Sequence, residues 1–231
     1  AETAGMIGYL IEQELENVLD HDRPIATLLT QVVVDRNDPA FGDPTKFVGP
    51  VYDHEQAQAI ASANGWHIAQ DGAKWRRVVA SPAPMEIPDT RVIQLLLDAG
   101  VVVICTGGGG IPVIRQHDGS LIGIEAVVDK DASSALLARS LGADVLLLLT
   151  DVDGVYQDFG SDTAMKRPWL SPKDALRFDA PAGSMAPKLE AAAAFTSAGG
   201  LAGIGRLQDA IEIMDGNAGT QVSNEIGGNA Q

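Results

Sequence analysis

Cysteine is almost absent from the 231-residue chain. Cys105 is the only one, so no disulfide can form within the chain, and a reducing, cytoplasmic setting is the expectation. Basic residues are scarce as well: 16 Lys and Arg face 31 Asp and Glu, for a net charge of −15 at pH 7. That imbalance opposes nucleic acid and anionic membrane surfaces as partners. A polyanionic ligand must then be met by a few placed lysines and by backbone N–H groups. Aromatic residues are few, within a composition of 45% hydrophobic and 20% charged residues that is ordinary for a soluble globular enzyme. No apolar run approaches the ~20 residues needed to span a bilayer. Glu2, Glu12, Glu14, Glu16 and Asp20 give the opening the wrong chemistry for a secretory signal. The four histidines, at 21, 54, 67 and 117, show no metal-ligand spacing, so ordinary core or surface roles are expected and no metal site is assigned. No Ser-His-Asp arrangement can be read either.

What is present is an alternation of helical and strand-like segments. Residues 5–19 place Met6, Tyr9, Leu10, Ile11, Leu15 and Val18 at helical spacing, and residues 25–34 read as one β-branched strand. A chain whose first residues are already helical reads as one whose beginning is missing. Between 35 and 88 the composition shifts, with prolines at 39, 44, 50, 82, 84 and 88 around Trp66, Trp75, Arg76 and Arg77. That stretch is too long for a structureless loop, and it predicts an inserted subdomain with a helix near 54–64 and a strand near 74–79. Helices are then predicted at 89–99, 130–141, 185–197 and 207–214, with strands at 101–105, 112–115, 145–149 and 219–222. Uninterrupted apolar strands between helices imply an α/β fold: an open, mostly parallel sheet covered by helices on both faces. The expected organisation is a substrate-side remainder at 1–34, a protruding lid at 35–88, an α/β core with the nucleotide-binding part at 89–222, and a frayed tail at 223–231.

Four segments carry chemistry. Gly107, Gly108, Gly109 and Gly110 follow a buried strand, where glycines let the backbone approach an anion closely. The alternative is a flexible turn. No Lys-Ser/Thr pair follows, so this is not a Walker A loop, and the spaced glycines of a dinucleotide fingerprint are missing. Asp129, Lys130 and Asp131 open a predicted helix with Asp129 at its cap. Lys130 opposes the partial positive charge of that end, which suits a phosphate ligand there, although a solvated lysine fits equally well. Asp151, Asp153, Gly154, Val155 and Tyr156 follow an apolar strand, as a ligand-contacting segment or a plain Asp-Gly turn. Gly183, Ser184 and Met185 lead to Lys188 in the first turn of an alanine-rich helix, repeating the pattern of Lys130. Two such lysines beside a glycine loop favour phosphoryl chemistry.

In sequence, TQVVVDRNDPAFGDPTKFVGP, RRVVASPAP, CTGGGGIPVI, GIEAVVDKDASSALLA, LGADVLLLLTDVDGVY and GSMAPKLEAA resemble the carbamate kinases of the amino-acid-kinase superfamily. The resemblance runs in family order to about residue 222. The segment around Asp38-Pro39-Ala40-Phe41 and Pro44-Thr45-Lys46 is similar to the carbamate kinases' own lid, whereas LLLLTDVDGVY is common to the wider superfamily. The resemblance implies reversible phosphoryl transfer between ATP and carbamate, giving ADP and carbamoyl phosphate with Mg²⁺, in a homodimer. It implies the ATP-forming direction of arginine fermentation. It matches Lys130 and Lys188 to the lysines that embrace the transferring group, Asp131 to the acid that holds them, and Lys46 to the lid lysine. Asp151, Asp153, Gly154, Val155, Tyr156, Met185 and Lys188 fall on the nucleotide side, and Gly107 to Gly110 beside the phosphoryl path. Phe47, Ala132 and Ala186 depart from the usual proline, leucine and glycine.

The family's leading Gly-Gly-Asn loop and its His-Gly-Asn-Gly-Pro segment are not present ahead of Ala1, and Gly227-Gly228-Asn229 has no strand before it. The expectation is therefore that this chain is inactive alone. The competing readings are a non-catalytic nucleotide-binding module, a sister kinase acting on acetylglutamate, uridylate or aspartate, and a dinucleotide-dependent oxidoreductase.

Overall fold

A computed structural model describes residues 1–19, 22–180 and 184–224. Asp20, His21, Gly183 and the Gly227-Gly228-Asn229 stretch therefore lie outside the described residues. The chain divides into two compact units, Ala1–Lys130 and Asp131–Gln231. No helix among the described residues is long and apolar enough to cross a membrane.

The first unit runs α1 (Glu2–Val18), β1 (Ile25–Thr27), β2 (Gln31–Val34), β3 (Lys46–Tyr52), α2 (His54–Asn64), β4 (His67–Asp71), β5 (Lys74–Val79), β6 (Pro84–Glu86), α3 (Thr90–Asp98), β7 (Val102–Ile104), β8 (Ile111–Arg115) and β9 (Leu121–Gly123). The expected single strand over 25–34 is in fact two strands in two different sheets. β1 pairs parallel with β7, whereas β2 pairs parallel with β8 in a sheet ordered β6-β2-β8-β9. Thr30 is the cause of the break. Its buried hydroxyl donates to Leu28 O at 3.2 Å and accepts from Thr106 N at 2.9 Å, so a side chain takes the place of ladder bonds.

The inserted subdomain is more regular than its prolines suggest. β3, β5 and β4 form an antiparallel sheet in that order, with α2 packed on β5. The strands at β3 and β4 escaped the sequence reading because Gly49 and Pro50 interrupt one and the other is short and polar. The helix and the strand that were expected are present as α2 and β5. α2 starts on Asp53, whose carboxylate accepts from Gln56 N at 2.9 Å, and stops on Gly65 in the left-handed region (φ 67°).

The second unit runs α4 (Lys130–Ser140, whose first residue closes the first unit), β10 (Val145–Thr150), β11 (Val155–Gln157), β12 (Met165–Arg167), β13 (Trp169–Leu170), α5 (Pro172–Arg177), α6 (Met185–Thr196), β14 (Leu201–Arg206), α7 (Ala210–Met214) and β15 (Thr220–Val222). The sheet is ordered β10-β14-β15-β13, with β10 and β14 parallel over six residue pairs and β15 antiparallel to β14. The expected helix over 207–214 begins as a single 3-10 turn, Leu207–Asp209, and becomes α-helical only at Ala210.

The alternation along β14 explains its layers. Ala202 and Ile204 are fully buried in a core with Leu189, Ala192 and Phe195 of α6. On the other face, a Cβ on Gly203 or Gly205 would run into Ile213 of α7. Helices thus cover both faces of this sheet, and α7 lies close enough that β14 tolerates only glycine beneath it.

Candidate functional site

In the first unit the glycine loop follows β7. Thr106 sits in the left-handed region (φ 53°), and a single turn, Gly107–Gly109, carries the chain to β8. The four glycines are not equivalent. Gly109 (φ 97°) lies against Val128, so any Cβ there would collide with the Val128 carbonyl oxygen. Gly110 (φ 85°) lies against the side chain of Val32. Their N–H groups close the turn onto Thr106 O at 2.9 Å and Gly107 O at 3.2 Å. Gly107 and Gly108 are exposed. The loop is thus half wedged and half exposed, with Thr30 fixing its entrance.

Lys46 begins β3, and its Nζ donates to Asp129 Oδ2 at 2.9 Å. Asp129, expected as a helix cap, thus gives one carboxylate oxygen to Lys46. Sequence reasoning missed the further ties between the β3-β5-β4 subdomain and this segment. Arg77 on β5 stacks over Trp66 with its guanidinium carbon 4.2 Å from the ring centroid, and it ion-pairs with Glu125. Val127 N donates to Ala80 O at 3.0 Å. Lys130 is exposed at the end of this segment.

In the second unit, Lys188 on α6 and Asp131 on α4 form a buried ion pair at 2.9 Å, each side chain 8% exposed. Asp131 is in the first turn of α4, where the helix dipole favours its negative charge. A lysine held this deep has lost most of its water, so its charge acts with far less screening than that of a surface lysine.

An open cleft of about 630 Å³ lies beyond the end of β10. Thr150, Asp151, Gly154 and Tyr156 border it on one side, and Phe178, Ser184 and Met185 contribute to the remainder. Its volume suits a nucleotide-sized ligand. Of the expected nucleotide-side residues, Asp151, Gly154, Tyr156 and Met185 line this cleft, but Asp153, Val155 and Lys188 do not. Val155 is fully buried in the core, its N–H donating to Thr220 Oγ1 at 2.8 Å. Asp153 accepts from the Tyr156 hydroxyl at 3.0 Å and from Lys166 Nζ at 3.1 Å. The Lys166 hydrogen bond, joined by that of Tyr156, holds the Asp153 carboxyl below its ordinary value against a smaller opposing effect of burial. The same carboxylate pushes the Tyr156 phenol above its own. Phe159, also unforeseen, borders the cleft and meets Tyr156 edge-on at 5.9 Å between centroids. Neither Lys166 nor Phe159 carries a local sequence signal; only the pairing of β11 with β12 brings Lys166 opposite Tyr156.

Among the described residues no group of three or more His, Cys, Asp or Glu is arranged to hold a metal ion. Mg²⁺ commonly binds through one or two carboxylates and the phosphates of its nucleotide, and exposed Asp151 at the cleft is a donor of that kind.

Comparison with known proteins adds an independent line. Residues 45–204 match the family model described as the amino acid kinase family. The carbamate kinase of Rhizobium meliloti is 52% identical over 229 residues, covering 98% of this chain and 71% of that protein. That of Haemophilus influenzae is 48% identical, covering 99% and 74%. The structure of Giardia lamblia carbamate kinase bound to AMP-PNP superposes with a TM-score of 0.86 at 37% identity, over 96% of this chain and 73% of that one. A glycine loop after β7, a buried lysine–aspartate pair and a nucleotide-sized cleft thus occur in a chain that, by its sequence likeness, belongs to the amino acid kinase family and, within it, to the carbamate kinases.

Proposed function

We propose that the chain serves reversible phosphoryl transfer between ATP and carbamate, with ADP and carbamoyl phosphate as the other pair. The observation that carries this reading is Lys188, a buried lysine fixed by Asp131 at the start of α6, in a unit whose cleft has nucleotide dimensions. In the transfer, a bond forms between a carbamate oxygen and the γ-phosphorus as the bond to the ADP oxygen breaks. Such chemistry asks the protein mainly for positioning and charge neutralisation. Lys130 and Lys188 supply positive charge to the transferring group, Asp131 holds Lys188, and Lys46 of the lid reaches the substrate. Asp151, Gly154, Tyr156 and Met185 hold the nucleotide, and Gly107 and Gly108 offer backbone to the phosphoryl group. Asp151 would hold Mg²⁺ together with the nucleotide's phosphates, where the ion would supply neutralisation of phosphate charge. The ATP-forming direction, a place in arginine breakdown, a cytoplasmic setting and a homodimer complete the proposal.

The test is ATP formation from ADP, Mg²⁺ and carbamoyl phosphate by the 231-residue chain: turnover would overturn the expectation that it is inactive alone, and no turnover with Mg·ADP still bound would leave it as the nucleotide-binding part of such a kinase. Loss of one preorganised charge donor lowers turnover by roughly 10²–10³-fold, and Lys130→Ala should show that loss. Because Lys130 is exposed, its stability should change by less than ~0.5 kcal/mol. Turnover near that of the unsubstituted chain would remove Lys130 from the mechanism.

A further inference from the structure

Four residues at the mouth of the cleft form a connected unit that the phosphoryl chemistry does not require. β11 and β12 are a short antiparallel ribbon in which Tyr156 and Lys166 are direct cross-strand partners. Opposed residues of such a pair project from the same face with their Cβ atoms about 5 Å apart. Both side chains end on one carboxylate: the Tyr156 hydroxyl lies 3.0 and 3.1 Å from the two Asp153 oxygens, and Lys166 Nζ lies 3.1 Å from Oδ2. Asp153 precedes β11 by two residues, so the carboxylate closes the ribbon back onto its own entry. Gly154 makes the closure possible. A Cβ there would stand 2.8 Å from Lys166 Cε and 3.0 Å from Thr220 Oγ1, so with glycine at this point the lysine stem passes undisplaced. The base of the ribbon is fixed separately, since Thr220 Oγ1 accepts from Val155 N at 2.8 Å and donates to Arg167 O at 2.6 Å.

Of this unit only Tyr156 and Gly154 border the cleft. Tyr156 also meets Phe159 edge-on, so its ring adjoins the second aromatic wall of the cleft. A phenol bonded to a carboxylate has its ring angle fixed. Without its lysine, the carboxylate becomes a half-exposed anion free to turn toward water, and the phenol loses its anchor.

We infer that Lys166 is a positioning residue for nucleotide binding: through Asp153 it locks Tyr156, and with it Phe159, as the preformed wall against which the nucleoside part of ATP or ADP rests. The inference rests on the reading of this cleft as the nucleotide site. Lys166 touches no reacting group. It removes a conformational freedom that the ligand would otherwise have to remove on binding.

The test is calorimetric titration of the 231-residue chain with Mg·ADP, so that binding is read independently of turnover. A half-exposed ion pair of this kind corresponds to a change of up to about 5-fold in affinity. Lys166→Met should weaken Mg·ADP binding by about that factor, and Lys166→Arg, which keeps a cation within reach of Asp153, should restore it. Tyr156→Phe should weaken binding similarly, and the double variant Lys166→Met/Tyr156→Phe no further, because both act through one contact. Unaltered ADP affinity in Lys166→Met, or additive losses in the double variant, would overturn the inference while leaving the nucleotide site in place. If Lys166→Met fails to fold, Tyr156→Phe measured against Asp153→Asn, again with non-additive losses expected, decides the same point. Failure of the unsubstituted, folded chain to bind Mg·ADP would instead overturn the functional reading itself, and the inference with it.

Discussion

The most informative perturbation is removal of the buried lysine. In Lys188→Met the methylene stem is approximately kept and the charge is lost. At 2.9 Å and an effective dielectric of ~20, the attraction between Lys188 and Asp131 is about 6 kcal/mol. Much of that is offset by what the two groups lost on leaving water, so the intact pair contributes little net stability. The single variant is different, because it removes the attraction and leaves the desolvated carboxylate. Such truncations are destabilising by about 3–5 kcal/mol. Asp131 lies in the first turn of α4, whose dipole recovers some 0.3–2 kcal/mol, so the low end applies. A loss of about 3 kcal/mol lowers the Tm of a chain this size by about 6–12 °C. The assay is thermal unfolding of Lys188→Met, Asp131→Asn and the double variant, followed by circular dichroism. The double variant should recover most of the loss, since neither charge remains buried. A Lys188→Met chain that melts within two degrees of the unsubstituted one would refute the picture of a dry, tightly coupled pair.

Two further outcomes follow from local geometry. Gly109→Ala places a Cβ on the Val128 carbonyl oxygen at φ 97°, and it should be destabilising by about 1–3 kcal/mol, measured by urea unfolding. A Gly109→Ala chain of unaltered stability would mean that the loop is free to move off Val128. The Lys166 hydrogen bond depresses the Asp153 carboxyl, so its contribution is complete above the unfolded value of ~3.9 and fades as pH falls through the lower folded value. The Tm difference between the chain and Asp153→Asn should accordingly be constant near pH 5 and above, and shrink below pH ~4. In the same variant the Tyr156 phenol should titrate lower than in the unsubstituted chain, because the raising carboxylate is gone while Arg206 still acts on it; ultraviolet difference titration reads this directly.

The fold was legible where one physical signal dominated. β10 is a run of apolar residues with no competing reading, and α6 is an alanine-rich segment whose burial needs no long-range knowledge. The reading of 25–34 as one strand went astray because β propensity cannot register a buried Thr30 hydroxyl that accepts from Thr106, 76 residues away. Likewise Leu207 to Met214 has helical spacing throughout, yet its first turn is 3-10. The same division holds in the sites. Lys188 was visible because a cation in a first turn opposes the helix dipole, a purely local contradiction. Lys166 presents no local contradiction: it alternates in a short strand and acquires meaning only from its pairing opposite Tyr156. Asp153 shows the limit of local chemistry. Its neighbours in sequence suggest a ligand contact, and they give no sign of the bonds its carboxylate accepts from Tyr156 and Lys166.

Among the described residues, burial sets the Lys188–Asp131 pair apart from two partly exposed lysine–aspartate pairs. Lys188 and Asp131 are 8% exposed each, Lys166 and Asp153 32% each, and Lys46 and Asp129 39% and 20%. On the proposed role Lys46 has to leave Asp129 to reach substrate, so its pair should be weak, hydrated and screened by salt. An exposed pair contributes about 0.2–1 kcal/mol, and at 1 M salt the screening length falls to ~3 Å, about the length of the contact itself. Lys46→Met should therefore be destabilising by less than ~1 kcal/mol at low salt and by nothing measurable near 1 M NaCl. The loss in Lys188→Met should persist in that salt, because ions do not enter a dry pair. Unfolding both variants at the two salt concentrations makes the comparison. A Lys46→Met loss that survives high salt would mean that Lys46 is fastened to Asp129 rather than resting on it, and a fastened lysine cannot serve as the mobile cation of the lid.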